Sequence, residues 1–233
     1  MKISVFPSLP SVNKKNISFL VDKLIDLGVK HIHFNVSDKK FAGYTFLKLS
    51  DFKKIMDKKI KCDIHLMVSN PREYAKKFIS LGAKTIIFHY ESFVSEIPMA
   101  KFINSLHLSK VKVGIAFKAD TDVEKKTFFF LKMVDFILIT SIDSKKNEQK
   151  FNKKVLKKIK LYYNYIRQNN LKTLIEVEGG IDEKNCLECC RNGASILVVG
   201  SYLFKSKDGI KEKINRITNR CDGILGYENF IKK

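Results

Sequence analysis

Residues 27–34 read Leu-Gly-Val-Lys-His-Ile-His-Phe, and the same order of residue types returns at 81–88 (LGAKTIIF) and 192–199 (NGASILVV). In each stretch an amphipathic segment ends at a glycine, and a run of residues that favour β-strands follows. Glycine adopts the left-handed conformation that ends a helix without steric cost. The repeat therefore predicts that helices and strands alternate along the chain.

The alternation extends over the whole sequence. Strands are predicted near 2–7, 30–36, 61–67, 84–90, 111–116, 135–140, 172–177 and 195–199. Helices are predicted near 13–27, 48–58, 70–81, 94–107, 121–133, 149–168, 182–192 and 206–219, with caps at Asn70, Thr121 and Asp182. Eight strands alternating with eight helices favour a single (β/α)8 TIM barrel over an open doubly wound sheet. We predict a barrel domain over 1–219 and a C-terminal tail over 220–233.

The composition fits one folded domain with a basic surface. The chain has 233 residues, 45% of them hydrophobic, and a formal charge of +20. Such a charge suggests nucleic acid, an anionic membrane or an anionic substrate as partner. The lysines are scattered in short groups on predicted helix faces, without a basic stripe interleaved with aromatics, so a solvated Lys-rich surface is favoured over nucleic-acid binding. No apolar run approaches the ~18 residues that cross a bilayer, so no membrane role is predicted.

The cysteines predict a reducing compartment. They are odd in number, and the N-terminus does not read as a signal peptide, so we expect a cytoplasmic protein. Cys186, Cys189 and Cys190 form a C-x-x-C-C cluster that could suggest a metal. No second pair stands at zinc-ribbon spacing, and the cluster falls on a predicted amphipathic helix. Buried thiols are therefore the favoured interpretation.

Polar residues recur in one phase along the second and third strands. Side chains alternate between the two faces of a strand, so within 31–37 His33 and Asn35 share the face opposite the apolar residues. This alternation turns both toward the barrel axis near the strand's C-terminal end, where barrel enzymes carry their chemistry. His65 and Met67 are in the same phase on the third strand.

Further inward residues are predicted on the fourth and seventh strands. His89 is in phase on the fourth, and Glu176 and Glu178 share a face of the seventh. Imidazoles and a carboxylate at the ends of different strands are typical of a site for a first-row divalent metal. For any one histidine, a hydrogen-bonded core residue is the alternative.

Two small-residue turns point to phosphate. Gly179-Gly180 follows the seventh strand and Gly200-Ser201 the eighth. Such turns leave backbone N–H groups accessible at helix N-termini, and these are the two loops where barrels commonly bind phosphate. A small molecule that carries a phosphate group is therefore the predicted ligand, and the family resemblance described next implies a sugar phosphate.

Together these residues resemble those of the ribulose-phosphate 3-epimerase family, over about residues 3–214. In that family the first strand leads into a Pro-Ser turn. The second strand begins a His-x-Asp-x-Met-Asp-Gly-x-Phe segment, the third carries His-Leu-Met-Val, the seventh carries Val-Asp-Gly-Gly-Ile and the eighth ends in Gly-Ser. The matching segments here are Pro7-Ser8, 33–41, 65–68 with the downstream Asn70-Pro71, 177–181 and Gly200-Ser201.

The resemblance implies an isomerase of the pentose phosphate pathway that interconverts D-ribulose 5-phosphate and D-xylulose 5-phosphate by proton transfer at C3. It implies a divalent metal (Zn, Fe, Mn or Co) held by His33, Asn35, His65 and Glu178. Acid–base catalysis would fall to the positions of Asn35 and Glu178. Substrate contacts would come from Ser8, Met67, Gly179, Gly180, Gly200 and Ser201. It also implies a homo-oligomer.

Several positions depart from the family pattern. Asn35 and Glu178 each replace an aspartate, Ser37 replaces a methionine, and residues 141–149 replace a Pro-Gly-Phe-Gly-Gly lid. An amide has no basic form at neutral pH, so Asn35 cannot accept the substrate proton. An active enzyme would use Glu178 on one face and Asp38 or a metal-bound water on the other. The alternatives are a phosphosugar-binding barrel that has lost turnover and, from charge alone, a nucleic-acid-binding barrel.

Overall fold

The computed structural model describes residues 3–9, 16–142, 150–204 and 209–222. Its strands are β1 Ser4–Pro7, β2 His31–Ser37, β3 Lys61–Met67, β4 Thr85–His89, β5 Lys112–Phe117, β6 Phe136–Thr140, β7 Leu174–Glu178 and β8 Ile196–Val199. Its helices are α1 Ile17–Asp26, α2 Lys39–Ala42, α3 Leu49–Phe52, α4 Pro71–Ser80, α5 Glu96–Leu108, α6 Lys125–Leu131, α7 Val155–Gln168, α8 Cys186–Arg191, α9 Ser201–Phe204 and α10 Ile210–Cys221. The predicted alternation of eight strands with helices is confirmed. No helix in these ranges is long and apolar enough to span a membrane.

The chain divides into two compact units, and the first comprises Pro7–Phe117. Its strands β2, β3, β4 and β5 are parallel neighbours in that order. The register sets Asn35 beside His65, as their common phase predicts. On the other side of β2, Phe34 packs edge-on against Phe52 and Phe78, with ring centroids 5.6 and 6.2 Å apart. The apolar face of β2 is thus covered by helices, which leaves its polar residues on the opposite face.

The second unit comprises Met1–Phe6 and Lys118–Lys233. Strands β6, β7 and β8 are parallel neighbours, and the N–H of Ser4 in β1 donates to Ser195 O at 3.0 Å. Helix α7 buries Tyr162 completely, and its hydroxyl lies 3.1 Å from the hydroxyl of Thr127. This contact joins α7 to α6.

Several predicted boundaries need correction, among them the start of the helix predicted at 149–168, which is α7 Val155–Gln168. The helix predicted at 48–58 is the single turn α3, because the backbone N–H groups of Ile55 and Lys58 bond three residues back rather than four. The predicted cap Thr121 is wrong, since α6 begins at Lys125 with Glu124 as its N-cap. The cap Asn70 is confirmed, with its side chain accepting from Glu73 N–H at 3.5 Å.

A further correction concerns the C-terminal end of the described chain. The helix predicted at 206–219 is α10, which runs from Ile210 to Cys221 and so includes the first two residues of the predicted tail 220–233. Most of that tail, residues 223–233, lies outside the described residues. At α8, Asp182 Oδ1 accepts from the N–H groups of Lys184 and Asn185, yet the helix itself begins only at Cys186.

The cysteines of α8 and α10 form one buried group. Cys186, Cys189, Cys190 and Cys221 each have 0% exposure and are free thiols. Burial and hydrogen bonding to Cys190 raise the pKa of Cys221 to about 12, although the hydrogen bond with Cys186 acts in the opposite direction. Within the described ranges no three cysteine sulfurs lie close enough to hold a metal ion. The interpretation of these residues as buried thiols is confirmed.

Two of the many lysines, Lys158 and Lys213, are also internal. The Lys158 ammonium donates to Lys118 O at 2.6 Å and Ala119 O at 3.1 Å. Lys213 is 1% exposed, and its ammonium donates to Tyr202 O at 2.9 Å and Leu203 O at 3.2 Å. The carbonyl groups of α9 therefore end on a buried cation, which suits the negative end of a helix. These ammonium groups contribute to the formal charge but not to the surface that a partner would meet.

Candidate active site

The ends of β2 and β3 bring together three of the predicted site residues. His33 and His65 are 0% exposed and Asn35 is 5% exposed. The rings of His33 and His65 meet edge-on with centroids 5.3 Å apart, and His65 Nδ1 lies 2.8 Å from Asn35 Oδ1. Burial alone could not have assigned the face of β2, because Ile32, Phe34 and Val36 on its other face are also buried. The contacts show that these polar side chains share one face.

Residues next to this group anchor the chain around it. Asn35 Nδ2 donates to the hydroxyl of Ser8 at 3.0 Å, so the predicted substrate contact Ser8 lies beside the amide. Ser37 accepts from Phe46 N–H at 2.7 Å and donates to Tyr44 O at 2.9 Å. Ser37 thus fixes the loop that follows β2. Met67, 6% exposed, is its register partner on β3.

A second histidine and a carboxylate continue the polar contacts. His65 Nε2 lies 2.9 Å from His89 Nε2, and His89 Nδ1 lies 2.9 Å from Glu91 Oε2. Our sequence reasoning predicted that His89 points inward but missed Glu91. The available signal was the His-x-Glu spacing at the end of β4.

Asp38 is held by hydrogen bonds at the N-terminus of α2. One carboxylate oxygen accepts from Phe41 N–H at 2.7 Å, and the other accepts from the N–H and hydroxyl of Ser69 at 2.8 and 2.9 Å. Burial raises the pKa of Asp38, but the hydrogen bonds from Ser69 and Phe41 outweigh it, so the pKa lies below its ordinary value. The carboxylate is therefore a helix cap with weakened basicity.

In the second unit, Glu178 is half-buried at the end of β7 and leads into a turn of two glycines. Gly179 has φ +108° and Gly180 φ +63°, a region that side chains rarely adopt. A Cβ on Gly179 would lie 2.9 Å from Ile142 Cγ1 and 3.0 Å from Ser141 Oγ. The turn therefore requires glycine at 179 for both conformation and space.

The turn after β8 is shorter. Ser201 begins the single-turn helix α9, and Leu203 N–H donates to Gly200 O at 2.9 Å. Of the loop 141–149, which the sequence predicts to differ from the family lid, residues 143–149 lie outside the described residues. Ser141 is hydrogen-bonded to the end of β7 and to the residue that follows it. Its N–H donates to Glu178 O at 2.7 Å, and its hydroxyl donates to Gly179 O.

The donor set within the first unit fits a divalent transition metal. Two imidazoles and an amide oxygen are ligands of borderline softness that such ions accept. His33, His65 and Asn35 supply these groups side by side. Because an amide and two neutral imidazoles carry no charge, these three groups alone would not balance the charge of a divalent ion.

Comparison with known proteins agrees with this geometry. The model of the ribulose-phosphate 3 epimerase family matches residues 4–204. A ribulose-phosphate 3-epimerase of Chlamydia muridarum is 31% identical over 88% of this chain and 91% of that protein. One of Chlamydia pneumoniae is 30% identical over 95% of this chain and 97% of that protein.

A solved structure agrees in fold. The structure titled 3-hexulose-6-phosphate synthase from Salmonella typhimurium has a TM-score of 0.67 at 14% identity, over 95% of this chain and 100% of that one. At this identity the likeness shows the fold alone. With eight strands alternating with helices, it confirms the predicted (β/α)8 barrel.

Proposed function

Because the chain belongs to the ribulose-phosphate 3-epimerase family, we propose that it interconverts D-ribulose 5-phosphate and D-xylulose 5-phosphate by metal-assisted proton transfer at C3. The observation that carries the proposal is the group of His33, Asn35 and His65 at the ends of β2 and β3. Chemistry in this fold takes place at that end of the strands. The substrate, the metal and the residue roles below are parts of the same proposal.

His33, His65 and Asn35 would hold the metal together with Glu178, which ends β7. The C-terminal ends of all strands in a (β/α)8 barrel open on the same face, which supports bringing Glu178 into this set. When bound, a divalent ion stabilises negative charge that develops on a substrate oxygen. The Ser8 hydroxyl holds the Asn35 amide in position beside His65.

Glu178 would move the proton at C3. It is the carboxylate at the family's strand-seven position, and its half-buried side chain keeps access to a ligand. Epimerisation needs proton transfer on both faces of the carbon, and Asn35 cannot supply the second carboxylate. The hydrogen bonds that occupy Asp38 argue against Asp38 as the replacement. We therefore expect turnover slower than a pair of aspartates would give.

The phosphate group would bind at Gly179, Gly180, Gly200 and Ser201. The glycine conformations at 179 and 180 are needed for a turn whose backbone N–H groups stay uncovered by side chains. Met67 would line the sugar beside them. The free thiols among the described residues support the expectation of a reducing cytoplasm.

A second candidate function is phosphosugar binding without turnover. The observation that favours it is Asn35 itself, held by Ser8 at the position where the family places an aspartate. This protein would keep metal and phosphate contacts and lose two-face proton transfer.

One experiment separates the two functions. The full chain is incubated with ribulose 5-phosphate and Co²⁺ or Zn²⁺ in D₂O, and C3 is followed by NMR. Deuterated xylulose 5-phosphate supports epimerisation. Exchange into recovered ribulose 5-phosphate without inversion means that Glu178 serves one face only. Binding without any exchange supports the second candidate and overturns the first for this substrate.

A further inference from the structure

The polar chain behind His65 lies outside the metal and substrate residues proposed above. It runs from His65 Nε2 to His89 Nε2 at 2.9 Å and from His89 Nδ1 to Glu91 Oε2 at 2.9 Å. The two imidazoles have centroids 5.0 Å apart and planes 24° apart, so the rings meet edge to edge. Nitrogen lone pairs lie in the ring plane, and this geometry therefore suits a hydrogen bond between the rings.

The surroundings hold His89 in this orientation. Its side chain is 2% exposed, and the ring of Phe41 packs against it with centroids 4.9 Å apart. Phe41 is itself fixed, because its N–H donates to the carboxylate of Asp38. Glu91 is the outer end of this series of hydrogen bonds, and 19% of its side chain is exposed. A buried ring between a carboxylate and a second ring has little freedom to exchange partners.

The donor and the acceptor of each hydrogen bond in this series can be assigned by starting from the carboxylate of Glu91. An ionised carboxylate only accepts, so His89 Nδ1 carries the proton that Glu91 receives. A neutral imidazole carries one N–H, so His89 Nε2 accepts and His65 Nε2–H donates. Neutral His65 consequently keeps its lone pair on Nδ1, which lies 2.8 Å from Asn35 Oδ1. That oxygen is also an acceptor, because Nδ2 of the same amide donates to Ser8, so the two lone pairs repel unless a proton lies between them or a metal ion binds both. The space beside these two atoms therefore suits a cation. His65 Nδ1 therefore faces the proposed metal ligand Asn35 rather than His89.

We propose that His89 and Glu91 are positioning residues, which hold His65 in the tautomer that presents the Nδ1 lone pair to a divalent transition metal. The inference rests on the proposed function, since it deepens the metal site named there. A carboxylate that orients a metal-binding histidine from behind commonly changes metal affinity 10- to 100-fold, a magnitude we expect as an order-of-magnitude estimate here. In this protein the carboxylate would act through a second imidazole.

The first test is zinc binding followed by NMR of ¹⁵N-labelled histidines in the full chain. The proposal expects His65 with zinc on Nδ1 and a proton on Nε2. Zinc on Nε2, with the proton on Nδ1, would overturn it. This tautomer assignment does not depend on turnover, and a merely structural role for His89 would not set it.

The second test compares Co²⁺ affinity and the Co²⁺ absorption spectrum in Glu91→Gln, Glu91→Asp and the control Glu73→Gln. The glutamine in Glu91→Gln is nearly isosteric with glutamate, but its amide can donate as well as accept. The hydrogen bond to His89 then no longer requires the proton to be on His89 Nδ1. We expect affinity about 10- to 100-fold weaker with an altered spectrum, and partial recovery in Glu91→Asp. Glu73 pairs with Lys77 on the exposed face of α4, so Glu73→Gln should match the parent chain.

The outcomes distinguish this inference from the proposed function. Unchanged affinity and spectrum in Glu91→Gln, with the parent chain still binding Co²⁺ and epimerising, would overturn the positioning role alone. A parent chain that binds neither Co²⁺ nor Zn²⁺ would overturn both. Should Glu91→Gln fail to fold, the tautomer found in the parent chain still decides the question.

Discussion

The two units carry different halves of the proposed chemistry, and the sequence predicts that each departs from the family pattern in a different way. The Pro7–Phe117 unit keeps its imidazoles but has an amide at Asn35, which preserves hydrogen bonding and removes charge. The second unit keeps a carboxylate at Glu178, which preserves charge and moves it by one methylene. An amide at position 35 cannot act as a base, whereas a glutamate at position 178 keeps a basic carboxylate and only displaces it by one methylene.

The largest effect is expected from removing the remaining carboxylate. Glu178→Gln should lower kcat by about 10³-fold, because general acid–base catalysis contributes on the order of 10² to 10⁴. Steady-state kinetics with ribulose 5-phosphate measures this, with Glu124→Gln as an exposed control that pairs with Lys126. A kcat within tenfold of the parent value would show that Glu178 is not the proton-transfer group.

Restoring the missing carboxylate should act in the opposite direction. Asn35→Asp should raise kcat by about 10- to 100-fold, because a second basic group becomes available at the position beside His65. The exposed Asn104→Asp on α5 adds the same charge without this position and should leave kcat unchanged. An unchanged or lower rate in Asn35→Asp would mean that position 35 is not the missing base.

The glycine turn can be tested through stability. Gly179→Ala should lower the free energy of unfolding by about 1–3 kcal/mol, because φ is +108° and the new Cβ meets Ile142. Urea unfolding measures the change, and the control is Gly209→Ala, where φ is −63° and the nearest atom lies at 3.7 Å. Equal stability of the two variants would contradict the strained turn.

The smallest effect concerns Asp38 and has a pH signature. Asp38→Ala should cost about 1 kcal/mol at pH 7 through loss of the helix cap. The pKa of folded Asp38 is below 3.8, so the unfolded chain binds the proton first and the contribution falls as pH drops below about 4. Unfolding free energies of the parent chain and variant should converge there. The exposed Asp57→Ala serves as control, and a constant gap across pH would exclude an ionised cap.

The fold and the inner face of the site could be predicted from local pattern. The two-residue period of a strand placed Asn35 in phase with His65, and the register confirms their pairing. The roles of other residues could not be predicted, because they depend on distant partners. Asp38 binds Ser69, 31 positions away, and nothing near Lys213 in sequence shows that its ammonium is buried. The residue roles in metal and substrate binding stay predictions.

The buried thiols of α8 and α10 have a practical consequence. Cys186, Cys189, Cys190 and Cys221 are inaccessible in the folded chain, and the pKa of Cys221 near 12 leaves it almost entirely protonated at neutral pH. Alkylating reagents attack the thiolate and need access, so labelling requires these helices to separate. The rate at which these cysteines are alkylated therefore measures local opening next to β8 without any engineered probe. A metal or sugar phosphate that stabilises this part of the chain would lower that rate.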